Sequence, residues 1–216
     1  NYQSIAEPAR ILSAPSVAVD GDTVVAPFAS GEIAALLTAN GRRLWTDSLS
    51  RTGRFTSLSA INDIAGRPVI DGGAAYAVSH SGVLAAIDLR TGQRIWARAF
   101  ASTQTPCLAG EVLYAVSVDG ELVAFNRMTG GVYWMTQLRR YADEEDRKGR
   151  VSWTGPIMVG GRLVLANSVG DVVAVTPENG QIVANADVNQ PVFIPPIAAN
   201  DQIYLVTDSA RLVVLR

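Results

Sequence analysis

The chain alternates short apolar runs with clusters of Gly, Asp, Asn, Ser and Thr, and the alternation recurs with a fixed internal spacing. Runs this short, bounded by turn residues, predict buried β-strands, because a helix of useful length needs a longer amphipathic stretch. Gly31, Gly82, Gly120 and Gly170 are each followed ten residues later by a second glycine: Gly41, Gly92, Gly130 and Gly180. Four residues beyond the second glycine stand Trp45, Trp96 and Trp134, with Ala184 in the fourth copy. A proline precedes the first glycine by 14 residues in three copies (Pro68, Pro106, Pro156) and by 16 in the other (Pro15). A fifth, shorter copy runs from Pro196 to the end, with Ala210 in the glycine position.

Within each copy the markers divide the chain into four strands. A short apolar stretch follows the proline, and a turn such as Asp20-Gly21-Asp22 or Gly72-Gly73 leads into a second strand. The first ruler glycine opens a third strand, nearly continuous in apolar residues, as expected for a strand buried on both faces. A Thr-Gly or Asn-Gly pair turns the chain again, and the fourth strand carries the tryptophan. Four antiparallel strands in a unit of roughly 40–50 residues predict a propeller blade. The fold class is therefore all-β: a β-propeller of four-stranded antiparallel blades. Residues 1–216 read as a single propeller region, with blades over 13–49, 66–100, 102–138, 152–188 and 190–216, the last lacking its fourth strand. Each tryptophan is expected to pack over the next blade's turn and set the angle between blades. A ligand cage would need the rings to converge, whereas one ring per blade spreads them around the rim. Ala184 predicts a looser junction.

Composition narrows the functions open to such a fold. Charged residues make up only 18%, against 48% hydrophobic, and the formal net charge is −2, which argues against nucleic acid as the main partner. Cys107 is the only cysteine, so neither an internal disulfide nor a thiolate cluster can form, and its place in an apolar strand predicts an inert thiol. His80 is the only histidine, beside Ser79 and Ser81 in a turn, which excludes two-histidine metal motifs. No phosphate-cradling or nucleophile-elbow motif occurs. No catalytic residue, cofactor or metal is expected. The most polar stretch, residues 139–150, holds five basic and four acidic residues, so its field largely cancels and it reads as a solvated loop between blades.

The stretch Ala86-Ile87-Asp88-Leu89-Arg90-Thr91-Gly92-Gln93-Arg94-Ile95-Trp96 resembles the tryptophan-docking repeat of quinoprotein-type (PQQ-like) propellers, and residues 35–45 and 124–134 are looser copies. Two junction segments are more specific. Ile61-Asn62-Asp63-Ile64-Ala65-Gly66-Arg67-Pro68 opens the second blade, and Gln137-Leu138-Arg139-Arg140-Tyr141 with Trp153-Thr154-Gly155-Pro156 joins the third to the fourth. Both resemble the BamB family, lipoproteins of the outer-membrane β-barrel assembly (BAM) machinery, as does the ending from Asp208 to Arg216. That resemblance implies an eight-bladed ring of which this chain is the C-terminal portion, with the lipid anchor outside it. A closed five-bladed ring, with residues 1–12 as the closing strand, is the competing arrangement. An open ring would favour self-association through its exposed edges.

The resemblance also implies a non-catalytic scaffold at the periplasmic face of the outer membrane. It would bind the periplasmic domains of a BamA-like barrel subunit and assist nascent outer-membrane proteins. Partner contacts are expected at Arg10, before Ser13-Ala14-Pro15, and at Asp63. Ala65 departs from the family pattern where a second acidic residue is expected, as do Glu7 and Ala9 beside Arg10. Two alternatives remain open at this point: a fragment of a quinoprotein dehydrogenase, and a periplasmic propeller that binds a peptide or sugar.

Overall fold

The computed structural model describes residues 16–50 and 63–216, and among these there is no helix, hence none long and apolar enough to cross a membrane. The chain divides into two units, Asn1–Pro106 with Arg127–Gly130, and Cys107–Asn126 with Gly131–Arg216.

The first unit carries two four-stranded antiparallel sheets. One is built of β1 (Ala18–Asp20), β2 (Thr23–Pro27), β3 (Glu32–Leu37) and β4 (Arg43–Ser48). The other is built of β5 (Val69–Asp71), β6 (Ala74–Val78), β7 (Val83–Asp88) and β8 (Arg94–Ala99). The strands pair in sequence order, as hairpins with tight turns allow. β6 is buried along its whole length, and β7 is exposed at neither end. Their small and apolar side chains let the sheet pack on both faces; Ala75, Ala77, Ala85 and Ile87 join Val25, Ile33, Trp45 and Ile64 in one core.

The second unit repeats the pattern with β9 (Cys107–Ala109), β10 (Val112–Val116), β11 (Glu121–Asn126) and β12 (Val132–Gln137). A two-stranded hairpin follows, β13 (Tyr141–Asp143) with β14 (Lys148–Arg150). The next four-stranded sheet comprises β15 (Trp153–Val159), β16 (Arg162–Asn167), β17 (Asp171–Val175) and β18 (Ile182–Asp187). A three-stranded sheet closes the order: β19 (Ile197–Ala199), β20 (Gln202–Val206) and β21 (Leu212–Leu215). The stretch expected to be a loop thus contains a hairpin, because its charges find partners on neighbouring turns, described below.

Corresponding residues of the four-stranded sheets fall in register. Val25 pairs with Ala35 and Ala35 with Trp45, and the same row recurs as Tyr76–Ala86–Trp96, Tyr114–Ala124–Trp134 and Val164–Ala174–Ala184. Immediately past each row the pairing of third and fourth strands shifts, between Ala35/Leu36, Ala86/Ile87, Ala124/Phe125 and Ala174/Val175. A bulge turns the residue before the tryptophan position outward. Leu44, Ile95, Tyr133 and Val183 are accordingly among the exposed large apolar side chains.

The tryptophans dock as the repeat predicts. The indole N–H of Trp45 donates to the Leu89 carbonyl at 2.7 Å, that of Trp96 to the Arg127 carbonyl at 2.8 Å, and that of Trp134 to the Pro177 carbonyl at 2.8 Å. Each ring lies on a glycine three residues further on. Gly92, Gly130 and Gly180 have φ of +75°, +67° and +73°, and a Cβ there would come within 2.4–2.7 Å of ring atoms of Trp45, Trp96 and Trp134. Glycine is needed twice over at these turns, for the backbone conformation and for the ring. Gly41 shares the conformation (φ +69°) but faces open space. All six residues of β18 are exposed.

Candidate functional site

Segments between the sheets carry the residues that the sequence singles out. Arg10 lies outside the described residues, and so does the Ser13-Ala14-Pro15 that follows it. Asp63 opens the segment leading to β5. Its backbone carbonyl accepts the His80 N–H at 2.9 Å, and the residue is only 1% exposed. The side chain expected to face a partner is therefore buried. Ile64, fully buried, anchors the same segment in the core. Gly66 passes so close to the backbone of Gln104 that a Cβ would lie 2.4 Å from its carbonyl oxygen. The Arg67 N–H donates to Thr105 Oγ1 at 3.0 Å, leaving the Arg67 side chain exposed. Arg67 is the charged group this segment presents to solvent. Its signal in the sequence was its place between Gly66 and Pro68, where a tight approach and a fixed φ hold the backbone still.

The turn facing this segment is held by hydroxyls. Ser79 Oγ and Ser81 Oγ both donate to the Leu49 carbonyl, at 2.7 and 3.1 Å. His80 sits between them, and its buried Nδ1 has no hydrogen-bond partner among the described residues.

The β13–β14 hairpin is the most charged surface of the second unit. Asp119, in the turn between β10 and β11, is paired with Arg150 and lies 3.7 Å from Arg140. Arg139 reaches Asp171 at 3.1 Å and donates to the carbonyls of Tyr141 and Ala142. Glu144 accepts the backbone N–H groups of Arg140 and Tyr141, which hold its carboxyl below the usual range. The hairpin is thus fastened at its base, while residues 144–148 remain exposed.

No cluster of three or more His, Cys, Asp or Glu able to hold a metal occurs among the described residues. Cys107 begins β9, and burial pushes its thiol up, away from the thiolate a nucleophile needs.

The family model of outer membrane protein assembly factor BamB matches residues 1–136 and 140–216. The outer membrane protein assembly factor BamB of Alkalilimnicola ehrlichii is 29% identical over 202 residues, covering 93% of this chain and 50% of that protein. The crystal structure of BamB from Moraxella catarrhalis superposes with a TM-score of 0.84 at 25% identity, covering 99% of this chain and 61% of that one. A quinohemoprotein alcohol dehydrogenase from Pseudomonas putida shares the fold alone, with a TM-score of 0.70 at 16% identity over 92% of this chain and 39% of that one. The chain spans about half the length of the curated relatives it matches. The sheets described above are blades of a β-propeller.

Proposed function

The chain belongs to the family of the outer membrane protein assembly factor BamB, and from that premise we propose that it is a non-catalytic scaffold of the outer-membrane β-barrel assembly machinery. It works on the periplasmic side of the outer membrane, binds the periplasmic domains of a BamA-like barrel subunit and assists insertion of nascent outer-membrane proteins. The observation that carries this reading is the family match along nearly the whole chain. The surface suits the role: rigid blades joined by docked indoles hold polar junctions in fixed positions, and loops on rigid scaffolds are where such proteins carry function.

In this reading Arg10 supplies a guanidinium to the partner. Asp63, being buried, acts by shaping the segment that presents Arg67. Charged contacts of this kind give geometric selectivity more than raw affinity. The test uses the full-length protein and the periplasmic domains of its BamA, with binding followed by calorimetry. Arg10→Glu and Arg67→Glu should each weaken binding by about tenfold, the effect of losing one charge-assisted contact. Unchanged affinity in the double variant would overturn the assignment of this surface.

A further inference from the structure

The repeat supplies an internal template for a site in the second unit. A cavity of about 690 Å³ opens beside Tyr114, Tyr133, Trp134, Pro177 and Glu178, with Ala109 at its edge. Its volume is that of a ligand pocket, and its lining is chiefly apolar, with the rings of Tyr114, Tyr133 and Trp134 beside Val112 and Met158. The corresponding place in the first unit is filled. There Tyr76 and Trp96 stand in the row that Tyr114 and Trp134 occupy here, with ring centroids 6.2 Å apart against 5.9 Å. Arg127 and Pro177 are also equivalent, since the carbonyl of each accepts the indole N–H and each lies three residues before its ruler glycine.

What fills the first site is the Arg127 side chain. Its guanidinium lies 5.7 Å from the centre of the Tyr76 ring, donates from Nε to the Tyr76 hydroxyl at 3.2 Å, and pairs with Asp71 at 2.5 Å. Cation–π attraction, a hydroxyl acceptor and a carboxylate together satisfy a largely desolvated guanidinium. In the second site the cation is gone, because Pro177 has no side chain that can reach. The aromatic pair remains, and the bulge of β12 adds Tyr133, whose hydroxyl accepts from Asn126 Nδ2 at 2.5 Å. Ala109 replaces Asp71 at the end of the first strand, and Glu178, next to Pro177, restores a carboxylate to the rim. The Tyr114 phenol is pushed up first by burial and then by the Glu178 charge, so that carboxylate acts on the pocket interior.

We propose that this pocket binds the arginine side chain of a partner polypeptide, in the place that Arg127 fills in the neighbouring repeat. The guanidinium lies against Tyr114 and Trp134 and pairs with Glu178, while Tyr133 covers it from the solvent side. The proposal stands on the pocket and its filled counterpart, independently of the assembly role, and is measured without any assembly partner.

The test titrates the full chain with the blocked peptide acetyl-Gly-Arg-Gly-amide and follows the Trp134 and Tyr133 NMR signals. The peptide should shift these signals, and its citrulline counterpart, isosteric but uncharged, should bind about tenfold more weakly for want of the charged contacts. Glu178→Gln should weaken the arginine peptide by a similar factor of about ten. Pro177→Arg should abolish binding with the thermal midpoint kept, because the protein then fills its own pocket. Equal binding of the citrulline peptide, or no effect of Glu178→Gln, would overturn the proposal. So would methylguanidinium binding as tightly as the peptide, or signals unmoved at millimolar peptide.

Discussion

β12 and β18 hold the same place in neighbouring copies of the repeat and pair with their third strands through the same bulged register, yet only one is fastened on its far side. From β12, Trp134 donates to the Pro177 carbonyl and Thr136 Oγ1 to the Gly180 carbonyl at 2.7 Å. β18 has Ala184 in the tryptophan position, and every one of its residues is exposed. Ladder bonds are therefore enough to form the outer strand of a blade. Joining it to the next turn is a separate task, performed by one aromatic side chain on a glycine and by a polar side chain two residues further along the strand. β8 makes the same point in the first unit: beside Trp96, Arg98 donates to the carbonyls of Gly130 and Thr129 at 2.7 and 2.8 Å.

The sharpest way to break this comparison is to remove a docked ring. Trp96 is 7% exposed, so Trp96→Ala should cost about 3–5 kcal/mol by loss of burial and the cavity left behind. Ala184→Ser on the exposed strand should stay within about 0.5 kcal/mol. Denaturant unfolding of the two variants checks the pair; similar losses would mean that the ring is not what separates the strands.

A second comparison isolates the turn from the ring. Gly92→Ala and Gly41→Ala both force an alanine into a left-handed conformation, at about 1–2 kcal/mol. Only at Gly92 does the new Cβ also collide with Trp45, adding roughly 1–3 kcal/mol. Thermal unfolding should thus rank Gly92→Ala well below Gly41→Ala, and equal midpoints would remove the ring from the account.

The smallest effect concerns the hairpin. Glu144 has its carboxyl held below its ordinary value of 4.5 by two backbone N–H groups. A depressed value in the folded chain means that the contribution is complete above the ordinary value and is lost as the pH falls through the lowered one. Hydrogen exchange at the Arg140 and Tyr141 amides should accordingly stay slow at neutral pH and quicken only below the usual carboxylate range. In Glu144→Gln the pH-dependent step should vanish.

The propeller was legible because its signals are periodic and local: the ten-residue glycine interval, the tryptophan four residues later, and apolar runs too short for helices. The β13–β14 hairpin was not, because it has no apolar period and its base is fastened by Asp119 and Asp171, some thirty residues away from the arginines they hold. The burial of Asp63 was not legible either, for a related reason. A carboxylate in a polar segment reads as a surface group, and only the packing of Ile64 and the turn at His80 shows that it is enclosed. Arg127 and Pro177 are unremarkable turn residues until Tyr76 and Tyr114 are seen beside them.

Docking between copies also imposes a timetable on the chain as it emerges from the ribosome. Trp45 finds its carbonyl 44 residues later, Trp96 31 residues later, and Trp134 43 residues later. Each blade can form its ladder as soon as its own strands exist, but its indole waits uncovered until the following copy is made. Through the first three copies synthesis therefore trails one unburied tryptophan, and the newest of those blades is the one most exposed to aggregation or to a chaperone.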